Sequence, residues 1–302
     1  MKIIHTSRVA CLAAILAAAP LGAQQHDHGA MAGMHGMTMP ALTAAARAQI
    51  DSVATAARPL ATTAAATAAG YRPKFGWIPT MGEHWVALDR MSKEKQSDRT
   101  APSNLMFSRI AGKDSLVGAA FAYIAPADDS LPPKLFDGNP PWHEHPDLAP
   151  PGMRLIMLHV WFVPSPDGPF AGTNPNLPFW AAGLPAPDSA RMHDPAFSDR
   201  VRRASLALAE LVDSASIFRQ VAQRPDVAPM LAARRDSIRA LVPEFRAAAS
   251  AHDAARWDRA AQRAAAQWDA IYAGFMASAR TVRGKERMST YVSMLLGHHE
   301  EM

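Results

Sequence analysis

The stretch from Met153 to Val163 constrains the fold most, because it is apolar on both of its alternating faces. One face carries Met153, Leu155, Met157, His159 and Trp161, and the other carries Ile156, Leu158, Val160 and Phe162. A strand with one face in solvent alternates between apolar and polar residues, whereas a strand covered on both faces does not. The sequence therefore predicts a central strand that is buried on both sides.

Other strands and long loops are predicted around this strand. Asn104 to Ile110 and Leu116 to Ile124 resemble a hairpin around the polar turn Ala111 to Asp114. The chain between strands is rich in proline, which suits ordered loops rather than helices. A second loop of this kind, Pro164 to Pro178, follows the central strand.

Helices are predicted on either side of the β region. Residues 41–57 and 59–69 are rich in alanine, and Gly70 suits a C-terminal cap. Beyond Ser189 the apolar residues keep a helical spacing up to a last predicted helix from Gly284 to Leu296. The predicted class is α+β, with a small, mostly antiparallel β core, N-terminal helices and a helical C-terminal half. The predicted segments are a signal peptide (1–23), a disordered tail (24–40), the core (41–188) and a helical region (189–302).

Four histidines lie in apolar, aromatic settings within the predicted core. They are His84, His143, His145 and His159. An imidazole in such a setting needs a hydrogen-bond partner or a metal, because burial of an unpaired polar group is costly. His143 and His145 are two residues apart and therefore point the same way in an extended segment. The sequence predicts that the four rings converge on one mononuclear metal site, although each ring alone suits an ordinary core histidine.

The side chains next to these histidines suggest further roles. Glu83 and Glu144 alternate away from their histidines in an ideal strand, so they suit a supporting role or a general base better than a ligand. Trp85, Trp142, Trp161 and Phe162 are expected to form an aromatic wall around a small-molecule pocket. Three imidazoles with an open position suit zinc, copper or non-haem iron, of which copper and zinc are favoured.

A second metal signal precedes the core. Residues 24–40 contain the potential ligands His26, His28, Met31, Met34, His35, Met37 and Met39. Thioethers and imidazoles together select copper, and the glycine and alanine spacers let the segment wrap an ion. The segment lacks apolar periodicity, so it is predicted to be disordered without a ligand.

The N-terminus predicts export. Lys2 and Arg8 precede a short apolar stretch that resembles a signal peptide cleaved after Ala23. Cleavage removes Cys11, the only cysteine, and leaves 29 basic against 27 acidic residues. Any metal must then bind His, Met, Asp or Glu in the periplasm or outside the cell. This weak, dispersed charge argues against nucleic acid, and no later apolar run suits a membrane span.

Residues 66–179 resemble a family of secreted bacterial proteins of unknown function. The matching motifs are Met81-Gly82-Glu83-His84-Trp85, Trp142-His143-Glu144-His145 and His159-Val160-Trp161-Phe162, followed by a proline-rich segment that ends at Phe179. The resemblance implies the histidine grouping and no activity. His-x-His followed by a later strand histidine is also similar to cupin metal sites, but the cupin glutamate spacing is missing and the predicted strands are too few for a double-stranded barrel.

Three functions remain open from the sequence. The first is a secreted metalloprotein with a mononuclear histidine site, in which an open position would activate water or bind oxygen if the protein is an enzyme. The second is a non-catalytic periplasmic copper-handling protein that binds metal mainly in its tail. The third is a helical structural or partner-binding protein whose histidines are only core residues.

Overall fold

A computed structural model describes residues 42–92, 94–130, 134–138, 140, 142–145, 149, 151–212, 225 and 227–279. Within these ranges an antiparallel sheet is preceded and followed by helices, so the predicted α+β class is confirmed. The predicted signal peptide, the His/Met-rich tail and the last predicted helix lie outside the described residues.

The sheet has six strands in the order β1-β2-β3-β4-β6-β5, and all neighbouring strands are antiparallel. The strands are β1 (Arg72–Ile78), β2 (Gly82–Val86), β3 (Asn104–Ile110), β4 (Lys113–Pro126), β5 (His143–Glu144) and β6 (Met153–Trp161). β6 lies between β4 and β5, and each of its residues from Leu155 to Trp161 is buried. The prediction of a central strand covered on both faces is confirmed.

The hairpin of β3 and β4 is tighter than predicted. Its turn consists of Ala111 and Gly112, with φ of 49° and 79°, and Ile110 pairs directly with Lys113. A two-residue turn with positive φ at both positions matches the right-handed twist of the strands. The prediction that β4 begins at Leu116 was therefore wrong, because the polar residues Lys113 to Ser115 continue the pairing rather than the turn.

The edge strand β1 was not predicted from the sequence. It contains Pro73, and its register with β2 shifts between Lys74 and Trp77. Proline lacks the N–H that a central strand needs, and it is tolerated at an edge. Pro73 argues against a strand when the sequence is considered alone, but it is compatible with the edge position of β1.

The N-terminal helices are α1 (Ala44–Ala57) and α2 (Thr63–Ala68), joined by a 3₁₀ turn at Arg58–Leu60. Thr43 and Thr62 cap them by accepting hydrogen bonds from backbone N–H groups. Gly70, with φ of 92°, follows α2 in the predicted capping position. Val53 of α1 packs with Phe121 and Leu158 on one face of the sheet.

The C-terminal half of the described chain is helical, as predicted. Its helices are α3 (Asn176–Ala181), α4 (Pro195–Ala209), α5 (Ala228–Ser250) and α6 (Ala254–Ala279). α3 begins inside the predicted loop and contacts both β3 and α4, so it connects the sheet to the bundle. Phe179 of α3, Phe197 of α4 and Phe245 of α5 are among the buried residues of the bundle core. Among the described residues, no helix has the length and apolarity needed to cross a membrane.

Candidate metal centre

Three of the candidate histidines lie on one face of the sheet, which we call the histidine face. His84 of β2 is directly opposite Met106 of β3, and Met106 is opposite Gly118 of β4. His159 of β6 is opposite Ala120, and His143 of β5 is opposite Met157. Because directly opposed residues of antiparallel strands project to the same side, these register pairs place the three imidazoles on a common face.

His145 follows β5 and extends the histidine face by one position. Its backbone N–H donates to the carbonyl of Leu155 at 2.8 Å, which keeps the segment extended beyond Glu144. The His143 and His145 ring centroids are 4.9 Å apart. The prediction that these two rings point the same way is confirmed.

The sheet brings together two histidines from strands that are not neighbours. β2 and β6 are separated by β3 and β4, and in a flat sheet this arrangement would place them about 14 Å apart. Nevertheless, Nε2 of His84 lies 3.4 Å from Nε2 of His159. The two side chains therefore reach towards each other across β3 and β4, and the register shift between Met106 and Phe107 in β3 is the kind of irregularity that increases local twist.

The four rings form a continuous series of contacts. The ring centroids are 5.5 Å apart for His84 and His159, 5.0 Å for His159 and His143, and 4.9 Å for His143 and His145. Two imidazoles bound to one tetrahedral zinc at about 2.0–2.1 Å have their nitrogens about 3.3 Å apart and their centroids about 5 Å apart. The spacing between successive rings is therefore compatible with coordination of one ion.

The ring nitrogens of the four histidines do not all converge on one point. Within the part of the chain that the structure describes, no group of three or more His, Cys, Asp or Glu side chains has the arrangement of a metal site. The nitrogens of His84 and His159 do lie at a ligand-to-ligand separation. Binding of one ion by all four rings would therefore require the rings of His143 and His145 to rotate about their side-chain bonds.

Most of these imidazoles are buried, and burial favours the neutral form of His84. His159 is fully buried, His84 is 4% exposed and His145 is 9% exposed. Burial lowers the pKa of His84 from 6.5 to about 4, and a backbone hydrogen bond with Gly82 only partly opposes this effect. His84 is therefore uncharged at neutral pH, which is the form in which imidazole binds metals.

The two candidate carboxylates lie on the opposite face. Glu83 accepts a hydrogen bond from Nε1 of Trp85 at 2.9 Å, and exposed Glu144 forms an ion pair with Arg154. Strand alternation, which argued against a ligand role for either residue, also directs both away from the rings. The suggestion that Glu83 or Glu144 acts as a base at this centre has no geometric support.

The predicted aromatic wall was wrong for three of its four members. Trp85 packs against Phe107, and Phe162 belongs to the same cluster on the opposite side of the sheet. Trp142 contacts Tyr123 with ring centroids 6.0 Å apart. Of the four, Trp161 alone lies beside the centre, at 6.0 Å from the ring of His159. The residues next to the histidines in sequence point away because side chains alternate.

The histidine face has a different apolar lining. Met106, Ala120, Ala122, Leu155, Met157 and Trp161 belong to one buried cluster on this side, together with Trp77. Among these, Met157 and Trp161 share an alternating face with His159 in the sequence, but no local pattern identifies Met106. Its position opposite His84 depends on the pairing of β2 with β3.

The chain matches no protein-family model, no curated protein and no solved structure. The resemblance to secreted bacterial proteins therefore stays a prediction from the quoted motifs. The six described strands form a single sheet, which differs from the paired sheets of a cupin barrel.

Proposed function

We propose that this protein is a secreted metal-binding protein with a mononuclear centre formed by His84, His143, His145 and His159. The observation that carries the proposal is the 3.4 Å separation between Nε2 atoms of His84 and His159, two buried residues from strands that are not neighbours. At this distance the two nitrogens share either a proton, in an N–H···N hydrogen bond between neutral rings, or a cation. The ring contacts that continue from His159 to His143 and His145 favour the cation, because one shared proton joins only two of the four rings. Burial lowers the pKa of His84 and so keeps it in the neutral form that binds metals.

The first experiment measures metal content. The secreted protein is loaded with copper or zinc, desalted and analysed by inductively coupled plasma mass spectrometry. We expect His159→Ala to lose the core metal, because His159 contacts both His84 and His143 and is itself fully buried. His193→Ala is the control, since His193 is exposed and lies outside the cluster. Equal retention by both variants would contradict the proposal.

The second experiment separates a metal ligand from a packing residue. A metal that binds only the folded state at 100 times its Kd stabilises the protein by about 2.7 kcal/mol. We therefore expect His159→Ala to lower the melting temperature of the metal-loaded protein more than that of the metal-free protein. Equal decreases in calorimetry would mean that His159 is a packing residue, as in the third function above.

We also propose that the His/Met-rich tail binds copper. The support is its composition, with three histidines and four methionines between residues 26 and 39. A peptide of residues 26–39 is expected to bind Cu(I), and leucine at the four methionines should weaken this binding. Loss of all metal when residues 24–40 are removed would instead favour a copper-handling protein whose tail is its main site.

A further inference from the structure

Two methionines lie directly opposite candidate ligands on the histidine face. Met106 pairs with His84 and Met157 pairs with His143. Residues in such pairs have Cβ atoms about 4.5–5.5 Å apart, so a methionine side chain can reach the space in front of the neighbouring imidazole. Met106 is fully buried and Met157 is 8% exposed.

The middle strand leaves space for these long side chains. On the histidine face, β4 presents Gly118, Ala120 and Ala122 opposite Trp161, His159 and Met157. A Cβ on Gly118 would lie 2.5 Å from Cε of Met106 and 3.3 Å from Cε3 of Trp161. Met106 therefore extends across β4 towards Trp161, which is itself in ring contact with His159.

The resulting set of donors is neutral and soft. Glu83 and Glu144 face the other side of the sheet, so these segments place imidazoles and methionines, but no carboxylate, on the histidine face. The electrostatic cost of burying an ion rises with the square of its charge, so a monovalent ion costs about one quarter as much as a divalent ion of equal size. Thioethers select Cu(I) among biological metals.

We infer that the core centre is a Cu(I) site in which the thioethers of Met106 and Met157 join the imidazoles. This inference rests on the proposed function, because it assigns the metal class and two more ligands to the same centre. It differs from the tail proposal, since both methionines belong to the folded sheet.

The test compares Cu(I) with Zn(II) affinity by chelator competition under anaerobic conditions. All proteins are full-length secreted chains that carry Met31→Leu, Met34→Leu, Met37→Leu and Met39→Leu, so tail thioethers do not contribute. Met106→Leu and Met157→Leu remove one core sulfur each with little change in volume. Met230→Leu is the control, because Met230 packs against the separate helical core.

We expect each core variant to weaken Cu(I) binding at least tenfold, with Zn(II) affinity changed less than threefold. The Met230→Leu control should change neither affinity. Melting of the metal-free proteins checks that each variant folds, and a double Met106→Leu, Met157→Leu variant should then prefer Zn(II) more strongly than either single variant.

The outcomes distinguish this inference from the proposed function. Unchanged Cu(I) affinity in both core variants, with metal still lost in His159→Ala, would overturn the thioether ligands and leave the histidine centre intact. Metal retention in His159→Ala as well would overturn both. Equal weakening of Cu(I) and Zn(II) in the methionine variants would mean that they act by packing, which also overturns the inference.

Discussion

A substitution at Gly118 tests how closely the histidine face is packed. A Cβ placed there would stand 2.6 Å from the carbonyl oxygen of Val160 in β6 and 2.5 Å from Cε of Met106. The methionine end can move, but the carbonyl belongs to the central strand and cannot move without disturbing its pairing with β4. We therefore expect Gly118→Ala to destabilise the protein by about 1–3 kcal/mol, the usual cost of overpacking.

The matched control is Gly172→Ala. A Cβ added at Gly172 would have no heavy atom within 4 Å, and this residue does not have a positive φ. Alanine there should be neutral or should stabilise the protein by up to about 1 kcal/mol, because it reduces the freedom of the unfolded chain. Both changes add one methyl group, so the difference between them isolates the packing of β4.

The assay is calorimetric or spectroscopic melting of the metal-free proteins. For a protein of this size, 1–3 kcal/mol corresponds to a decrease in melting temperature of roughly 2–5 °C for Gly118→Ala. Metal retention should fall as well, since Met106 and Trp161 flank the added methyl group. Equal melting temperatures for the two variants would refute the close packing of Gly118 against Val160 and Met106.

Three other changes test charge and hydrogen bonding. The pKa of His84 is lowered to about 4, so the unfolded chain binds more protons than the native one between pH 6.5 and pH 4. The stability of the metal-free protein should therefore fall by about 3 kcal/mol as the pH decreases across this window. If the His84→Gln variant loses as much stability as the unchanged protein, the assignment is contradicted. Arg235→Ala leaves the buried carboxylate of Glu210 without its 3.0 Å ion pair, and should cost about 1–3 kcal/mol in denaturant unfolding at pH 8, whereas Glu210→Gln in the same background should recover most of it. Asn174→Ala removes a fully buried amide that donates to the carbonyl of Pro164 at 3.0 Å, and a loss of about 1–2 kcal/mol is expected, against little change for exposed Thr100→Ala.

The contact between the two histidines that are close in sequence follows from their spacing, whereas the contact between the two distant ones was predicted only from the need of buried imidazoles for a partner. His143 and His145 are two residues apart, so an extended backbone is enough to bring their rings together. The contact between His84 and His159 depends on the order of four strands. That strand order has no local signal in the sequence.

Alternation explains both a success and an error in the reading of this site. It correctly directed Glu83 and Glu144 away from the rings, and the central strand β6 was identified from the same period of two. Trp85 and Trp142 were assigned to the pocket because they adjoin histidines in sequence, but the same period directs them to the opposite face. Residues that line the centre instead come from other strands or from positions two residues away.

The distribution of apolar packing explains how the sheet can carry several imidazoles on one face. The opposite face is covered by α1 and by two clusters that include Phe121, Leu158, Tyr71 and Trp85, while the helical bundle has a separate core. These contacts stabilise the fold independently of the four imidazoles. The histidine face can therefore bury polar rings, although their desolvation lowers the stability of the metal-free protein. A metal ion that binds these rings only in the folded state would offset this cost. A packing role alone would favour apolar residues at His84 and His159, where both side chains are almost completely buried.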